Sequence, residues 1–230
     1  MARQRGTVRA GVLLGLLVLA GSGRADEAAA VKAVKAQGGS VLLDADQPGK
    51  PVAGVYLNWT RVTDAELKEL KEFKSLKSLE LISTPITDAG LKQLKELKSL
   101  QRLDLTNTRI TDAGLKELKE LKSLRGLLLH RTQITDAGIK ELKELQSLQS
   151  LALGTTAITD TGLKELKELK SLQELHLSVT QITDAGLKEL KELKNLQTLW
   201  LYGTKVTREA AQELKAALPG LRIFPRGLEP

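Results

Sequence analysis

The sequence has no cysteine, only two histidines and only two residues each of tryptophan, tyrosine and phenylalanine among its 230 positions. Without cysteine, the chain has no disulfide framework, no thiolate metal site and no thiol nucleophile. Two histidines leave little capacity for acid–base chemistry near neutral pH. The G-x-S-x-G, H-E-x-x-H, phosphate-loop and G-x-G-x-x-G motifs are also missing. We therefore predict a protein that is not an enzyme and that uses no metal and no cofactor.

The amino terminus has the three-part order of a secretory signal peptide. Residues 1–9 are basic, residues 10–20 form an apolar run, and small residues follow at Gly23 and Ala25. This run has 11 residues, whereas a membrane-spanning helix needs about 20. We predict a leader over residues 1–25 that is cleaved after Ala25. The mature protein would be secreted or periplasmic, with no membrane span. An uncleaved membrane anchor is the alternative.

The charge balance argues against nucleic acid as a partner. The whole chain carries a net charge of +7, from 35 basic and 28 acidic residues. Four arginines and no acidic residue precede Asp26, which leaves 31 basic against 28 acidic residues and a net charge of +3. A nucleic-acid footprint needs a concentrated basic face. We therefore predict no binding to nucleic acid.

One unit of 24 residues is copied along most of the chain. The string Ile-Thr-Asp-Ala-Gly-Leu begins at Ile86, Ile110 and Ile182, with close variants at Ile134 and Ile158. Degenerate copies begin at residues 62 and 206, so the spacing is constant over seven units. A fixed period of this length is typical of a solenoid, in which each unit packs only on its neighbours.

Each unit reads as one short helix followed by one strand. In the unit that begins at Ile110, Thr111 is a helix N-cap and Asp112 lies beside the positive helix end. An apolar stripe follows at intervals of three, formed by Leu115, Leu118 and Leu121, and we assign it to one side of a short α-helix. The pattern then changes to period two, with Leu127 and Leu129 on one side and Leu128 and His130 on the other.

The pattern L-x-x-L-x-L-x-x-T-x-I, at Leu100, Leu103, Leu105, Thr108 and Ile110, resembles the leucine-rich-repeat family. The T-D-A-G-L strings resemble its bacterial members, similar to the ribonuclease-inhibitor-like and cysteine-containing branches. The resemblance implies an α/β, right-handed solenoid with a parallel sheet on the concave face and short helices on the convex face. Threonine stands where the family has Asn or Cys, and we expect its hydroxyl to bond the backbone of the turn.

The repeats are expected to lie between two caps. Residues 26–51 read as an N-terminal cap made of a helix, a short strand and a turn. Residues 52–207 hold the repeats, and residues 208–230, a shortened last unit, read as a C-terminal cap. We expect the protein to be a monomer.

The outward strand positions are the candidate contact residues. The helix side repeats Lys-Glu-Leu with little change, whereas the strand side differs in nearly every copy. Tyrosine and tryptophan, which carry binding energy at interfaces, lie on the strand side. The predicted partner-binding residues of the concave face are Tyr56, Asn58, Trp59, Glu80, Ile82, Asp104, Asn107, Leu128, His130, Arg131, His176, Trp200 and Tyr202.

Several alternatives remain open for these residues. An alternative role for the aromatic residues of the first and last units is to cover the ends of the sheet. His130 and His176 lie two units apart, and we expect about 10 Å between them, too far for one catalytic pair or a metal site with Asp104. The two phenylalanines are expected to lie away from this face.

The sequence therefore favours a secreted, non-enzymatic binding module. Its partner would be an unknown protein or a cell-envelope polymer. The alternative function is that of a structural spacer or self-assembling envelope protein without a specific ligand.

Overall fold

The computed structural model describes residues 12–224, with side chains from residue 23 onward. The expected leader, residues 1–25, therefore lies almost wholly outside the side chains described, and so do residues 225–230 of the expected C-terminal cap. Within the described part, no helix is both long and apolar enough to cross a membrane.

The strands form one sheet in which each strand lies beside the next one in sequence. The first two strands are antiparallel, and all later pairs are parallel with equivalent residues of consecutive repeats side by side. In chain order the strands are β1 (Ser40–Leu43), β2 (Val52–Tyr56), β3 (Ser78–Glu80), β4 (Arg102–Asp104), β5 (Gly126–Leu128), β6 (Ser150–Ala152), β7 (Glu174–His176), β8 (Thr198–Trp200) and β9 (Arg222–Phe224).

The other side of the solenoid is built from helices. The α-helices are α1 (Val12–Ala36), α2 (Asp88–Leu91), α3 (Asp112–Leu115), α4 (Asp136–Ile139), α5 (Asp160–Glu165), α6 (Asp184–Glu189) and α7 (Arg208–Ala217). Packed helices need a spacing of about 8–10 Å, whereas strands need only about 4.8 Å. The sheet therefore lies on the concave side and the helices on the convex side, as predicted.

Much of the helical segment in the first six repeats is 3₁₀ rather than α-helix. After α2 to α6 the chain continues as 3₁₀ turns at Lys92–Leu94, Lys116–Glu120, Lys140–Glu144, Leu166–Glu168 and Leu190–Glu192, and the first repeat has only a 3₁₀ helix, Glu66–Glu72. The expectation of a purely α-helical stripe was wrong in this respect. A 3₁₀ helix has three residues per turn, so leucines at intervals of three align on one side. The leucine spacing that we assigned to an α-helix fits this geometry better.

One leucine core runs through the whole solenoid. The inward leucines and isoleucines of every repeat are almost completely buried, in one continuous cluster that extends from Ala30 on α1 to Leu221 before β9. The threonine after each strand donates its hydroxyl to the carbonyl three residues earlier, as in Thr84 to Leu81 at 2.7 Å and Thr132 to Leu129 at 2.7 Å. This confirms the expected role of threonine in the turn.

A ladder of aspartate–threonine hydrogen bonds joins consecutive coils on the helical side. Asp88 Oδ1 accepts from the Thr111 backbone N–H at 2.8 Å, and Asp88 Oδ2 accepts from the Thr111 hydroxyl at 2.6 Å. The same pair of bonds joins each of the aspartates 64, 88, 112, 136, 160 and 184 to the threonine 23 residues later. The sequence predicted that this aspartate lies beside the positive end of the helix dipole. It also bonds the next coil, and we call the pair of bonds from one aspartate to one threonine the clamp.

The glycine of each T-D-A-G string makes room for this clamp. A Cβ atom on Gly114 would collide with the Asp88 carboxylate of the preceding coil, and Gly138 and Gly162 have the same relation to Asp112 and Asp136. Three repeated residues of the string thus act together: the threonine donates to the aspartate of the preceding coil, the aspartate accepts from the following coil, and the glycine leaves room for the carboxylate.

The N-terminal end of the core is closed by α1 and β1. Ala30 and Val34 of α1 are buried, and Glu27 Oε1 accepts a hydrogen bond from the Val52 backbone N–H at 2.7 Å. The helix α1 continues across the expected cleavage point at Ala25. At the other end α7 and β9 complete the last coil. The exact boundaries of the caps stay a prediction.

We expect Asp136→Ala to lower the free energy of unfolding by about 2 kcal/mol, because it leaves two donors of Thr159 without their carboxylate acceptor. Thermal and urea unfolding of the purified chain measure this effect. Glu168→Ala, at an exposed position of a 3₁₀ turn, is the matched control and should change stability by less than about 0.5 kcal/mol. Equal stability of the two variants would refute the clamp.

Candidate functional site

The outward side chains of the strands form columns across the sheet, because equivalent residues of consecutive repeats are in register. We call this surface the strand face, and the column that includes Leu128 and His176 the first column. Phe224 pairs with Trp200 and ends the first column. The prediction that both phenylalanines lie away from the strand face was therefore wrong for Phe224. Backbone pairing aligns Ile223 with Leu199, so β9 keeps the 24-residue spacing that the expected shortening of the last unit would have broken.

Four rings at the C-terminal half of the strand face form a continuous row, which we call the aromatic row. The His130 and His176 rings make an edge-to-face contact, with centroids 5.7 Å apart. His176 stacks on Trp200 at 3.5 Å, with 9° between the ring planes. Trp200 lies 5.5 Å from Phe224 at an interplanar angle of 15°. The row thus spans five strands, from the end of β5 to β9.

The histidines are closer together than the sequence suggested, and the expected separation of about 10 Å was wrong. The coil between them carries Gly154 at the position equivalent to His130. A Cβ atom on Gly154 would lie 2.6 Å from His130 Nδ1, so the imidazole occupies space that only glycine leaves free. The small side chain of Ala152 lies between Leu128 and His176 in the first column.

Burial keeps both imidazoles neutral at pH 7. Desolvation, together with a smaller contribution from the neighbouring His130, lowers the pKa of His176 to about 4, and Glu174 opposes this shift. Desolvation also lowers the pKa of His130, with a smaller opposing effect from the Gly154 backbone and Asp104. Among residues 23–224, no group of three or more His, Asp or Glu side chains has the arrangement of a metal site.

The N-terminal half of the predicted face uses most of its polar groups internally. Asp104 is only 4% exposed and accepts a hydrogen bond from the Thr106 backbone N–H at 3.0 Å, so little of its carboxylate is open to a partner. Its short side chain folds back onto its own turn. Asn58 donates to Glu80 Oε2 at 2.7 Å and accepts from the Ile82 backbone N–H at 2.9 Å. Asn58 and Glu80 thus connect adjacent coils.

The residues just beyond the strands have left-handed backbone conformations. Positive φ angles occur at Trp59, Ser83, Asn107, Arg131, Thr155, Val179 and Gly203. Trp59 combines φ 63° with 76% exposure, the largest value among the exposed large hydrophobic residues between residues 23 and 224. Asn107 donates to the Ser83 hydroxyl at 2.8 Å. Arg131 is exposed.

The aromatic residues of the end coils divide into two groups. The Tyr56 hydroxyl lies over Gly54 of its own strand, and Trp200 lies between His176 and Phe224. These two rings cover sheet surface. Trp59 and Tyr202 are exposed, the latter by 45%, so sheet coverage does not account for all four residues.

A further outward column was missed by the sequence analysis. It lies at the start of the strands, two residues before the first column, and consists of Gly54, Ser78, Arg102, Gly126, Ser150, Glu174, Thr198 and Arg222. The period-two pattern of each strand, extended back by one step, is the signal that would have found it.

Repeated strand–helix coils with a shared leucine core define a repeat-solenoid protein that presents a sheet surface. A leucine-rich repeat region matches residues 56–226. The chain belongs to the leucine-rich-repeat family, whose members act as protein-interaction modules. No curated protein shows significant similarity to it.

Solved structures with the same fold include bacterial proteins. An internalin C2 of Listeria monocytogenes is 25% identical, with a TM-score of 0.60, over 85% of this chain and 92% of that one. Another Listeria monocytogenes internalin is 23% identical, with a TM-score of 0.52, over 71% of this chain and 53% of that one. This chain therefore spans about half of the second internalin, and this second likeness concerns the fold alone.

We expect the His176 imidazole to titrate near pH 4 and the His130 imidazole below its usual 6.5. Their native pKa values are lower than those of the unfolded chain, so the unfolded state binds more protons as the pH falls from about 6.5 towards about 4. Stability should therefore fall through this window. Proton NMR titration of the ring signals measures both values, and Trp200→Ala should raise the His176 pKa by admitting water. A His176 pKa at or above 6.5 would contradict the buried stack.

Proposed function

We propose that this protein is a secreted, non-enzymatic module that binds a protein partner through the strand face as a monomer. The aromatic row, His130–His176–Trp200–Phe224, is the observation that carries this proposal. Its rings are only partly covered by the chain, and Phe224 at its end remains 46% exposed. Large, rigid rings beside partly buried aliphatic groups are typical centres of protein interfaces.

Pre-organisation supports the row as a binding centre. Ring stacking restricts the rotamers of His176 and Trp200 before a partner arrives. Little side-chain entropy is then lost on binding, and this favours affinity. Both imidazoles are neutral, so a partner can cover them without removing a full charge from water.

Trp59 supplies a second anchor at the other end of the strand face. A tryptophan that is 76% exposed contributes little to the core, and its left-handed backbone is unfavourable for a bulky side chain. The fold gains nothing evident from this residue. Contact with a partner would give it a role, together with Arg131, Leu128 and Tyr202 along the same face.

The T-D-A-G-L strings support placement of the chain in a bacterial branch of the family close to the ribonuclease-inhibitor-like and cysteine-containing repeats. Threonine hydroxyls fill the turn position that Asn or Cys fills there, and each bonds a backbone carbonyl. The branch assignment adds no constraint on the partner.

We expect Trp200→Ala to weaken partner binding at least tenfold, the loss typical of an interface hot spot. Proteins captured from envelope extract by the chain from Asp26 onward, quantified by mass spectrometry for wild type and variant, identify the partner. Titration of that partner then measures the loss. Leu42→Ala removes an exposed apolar side chain from β1, outside the aromatic row, and is the control for a non-specific loss of apolar surface. Capture that is unchanged by Trp200→Ala, or equally reduced by Leu42→Ala, would overturn the assignment.

Secretion rests on the three-part order of residues 1–25. Cleavage after Ala25 would leave Glu27, Ala30 and Val34, which provide the contacts of α1 with the repeats. We expect amino-terminal sequencing of the protein recovered outside the cytoplasm to begin at Asp26. Recovery only inside the cytoplasm, or a first residue at the original amino terminus, would refute the leader.

A further inference from the structure

A polar groove of about 330 Å³ crosses the beginnings of β4 to β7, on the part of the strand face that sequence analysis missed. It is separate from the residues of the aromatic row. Three strand spacings, about 14 Å, set its length. No aliphatic or aromatic side chain lines it; the lining residues are Gln101, Arg102, Arg125, Gly126, Gln149, Ser150, Gln173 and Glu174.

Gly126 opens the groove, and the fold does not require a glycine there. Its φ angle is not in the left-handed region, and an added Cβ atom would meet only Arg102 Cγ, at an ordinary contact distance of 3.8 Å. Glycine weakens a strand, and where no steric reason exists it often marks the close approach of a ligand. Gly154 differs, because His130 occupies the space that its side chain would need.

The backbone of the groove has no spare amides for an added peptide strand. The Gln101 carbonyl accepts from the Arg125 N–H at 2.7 Å and from the Gly126 N–H at 2.9 Å. The Arg125 carbonyl accepts from the next coil in the same way, at 2.8 and 2.9 Å. Recognition must therefore come from side chains, and a peptide would also find no apolar pocket to anchor it.

The side chains of the groove match an acidic ligand that is rich in hydroxyl groups. Within the described part of the chain, the Arg102 and Arg125 guanidinium groups have no carboxylate partner, and a guanidinium binds a carboxylate with two parallel hydrogen bonds. The glutamine amides both donate and accept, as hydroxyl groups do. Glu174 on the opposite wall accepts from hydroxyl groups.

From these features we propose that the groove around Gly126 binds a glycan that contains uronic acid residues. The two arginines hold a sugar carboxylate, and the glutamines and Ser150 bond the ring hydroxyls. The space above Gly126 admits the sugar ring. This site is independent of the protein-binding role of the aromatic row.

Calorimetric titration of the full chain with a short oligogalacturonate tests the proposal. We expect binding that weakens with added salt, since the arginine contacts are exposed and screened. Arg125→Gln should weaken binding about tenfold, the loss expected for a hydrogen-bonded charge pair. Gly126→Leu should abolish binding by filling the groove. Lys119→Gln removes the same charge from the helical side and should leave binding unchanged.

Circular dichroism and thermal unfolding establish that each variant is folded, and Gly126→Ala provides a smaller substitution that the contact distance already accommodates. Undetectable binding of oligogalacturonate would overturn the proposal, as would equal binding by folded Gly126→Leu or equal loss in Lys119→Gln. Equal affinity for an oligoglutamate peptide or a neutral maltooligosaccharide would also overturn it. Loss of oligogalacturonate binding with unchanged capture of the protein partner would separate this site from the aromatic row.

Discussion

The strand face depends on the register between adjacent coils. Two sets of contacts fix this register, one in the core and one on the helical side. Inward leucines from every repeat share one buried core, and hydrophobic contact alone is non-directional. The aspartate–threonine clamps add direction, because each carboxylate bonds a backbone N–H and a hydroxyl of the following coil. Stacking is therefore constrained at the helices as well as at the strands, and one repeat cannot slip relative to its neighbour without losing both kinds of contact.

Because the register between coils is fixed, differences in side-chain size from one coil to the next determine the shape of the strand face. Where a small residue occupies one coil, a side chain from the neighbouring coil fills the space above it, as His130 does above Gly154, where its ring also contacts His176. Where no neighbour fills the space, a groove remains, as at Gly126. One sheet thus presents the aromatic row and the polar groove on different columns of outward side chains. Their separation allows a protein partner and an acidic glycan to be recognised by different residues.

Periodicity in the sequence was sufficient to predict the fold, because the 24-residue spacing assigns each leucine to the core without any knowledge of distant contacts. It also placed Trp200, Tyr202 and His176 on the strand face. It missed contacts that depend on what another coil leaves empty: the His130–His176 approach requires Gly154, and the clamp requires Gly114 beside Asp88. Asp104 shows a second kind of limit. Alternation predicts that its side chain leaves the strand on the outward side, but it does not predict that the carboxylate folds back to accept a hydrogen bond from the Thr106 backbone N–H.

Oxidative footprinting of side chains, in the free protein and in its complex with the captured partner, shows whether the partner covers the aromatic row. We expect the partner to protect Trp200 and Phe224 from hydroxyl radicals, while Leu42 on β1 and the leucines of the core keep their free-state reactivity. Protection confined to the helical side, with the aromatic row as reactive in the complex as in the free protein, would contradict this expectation.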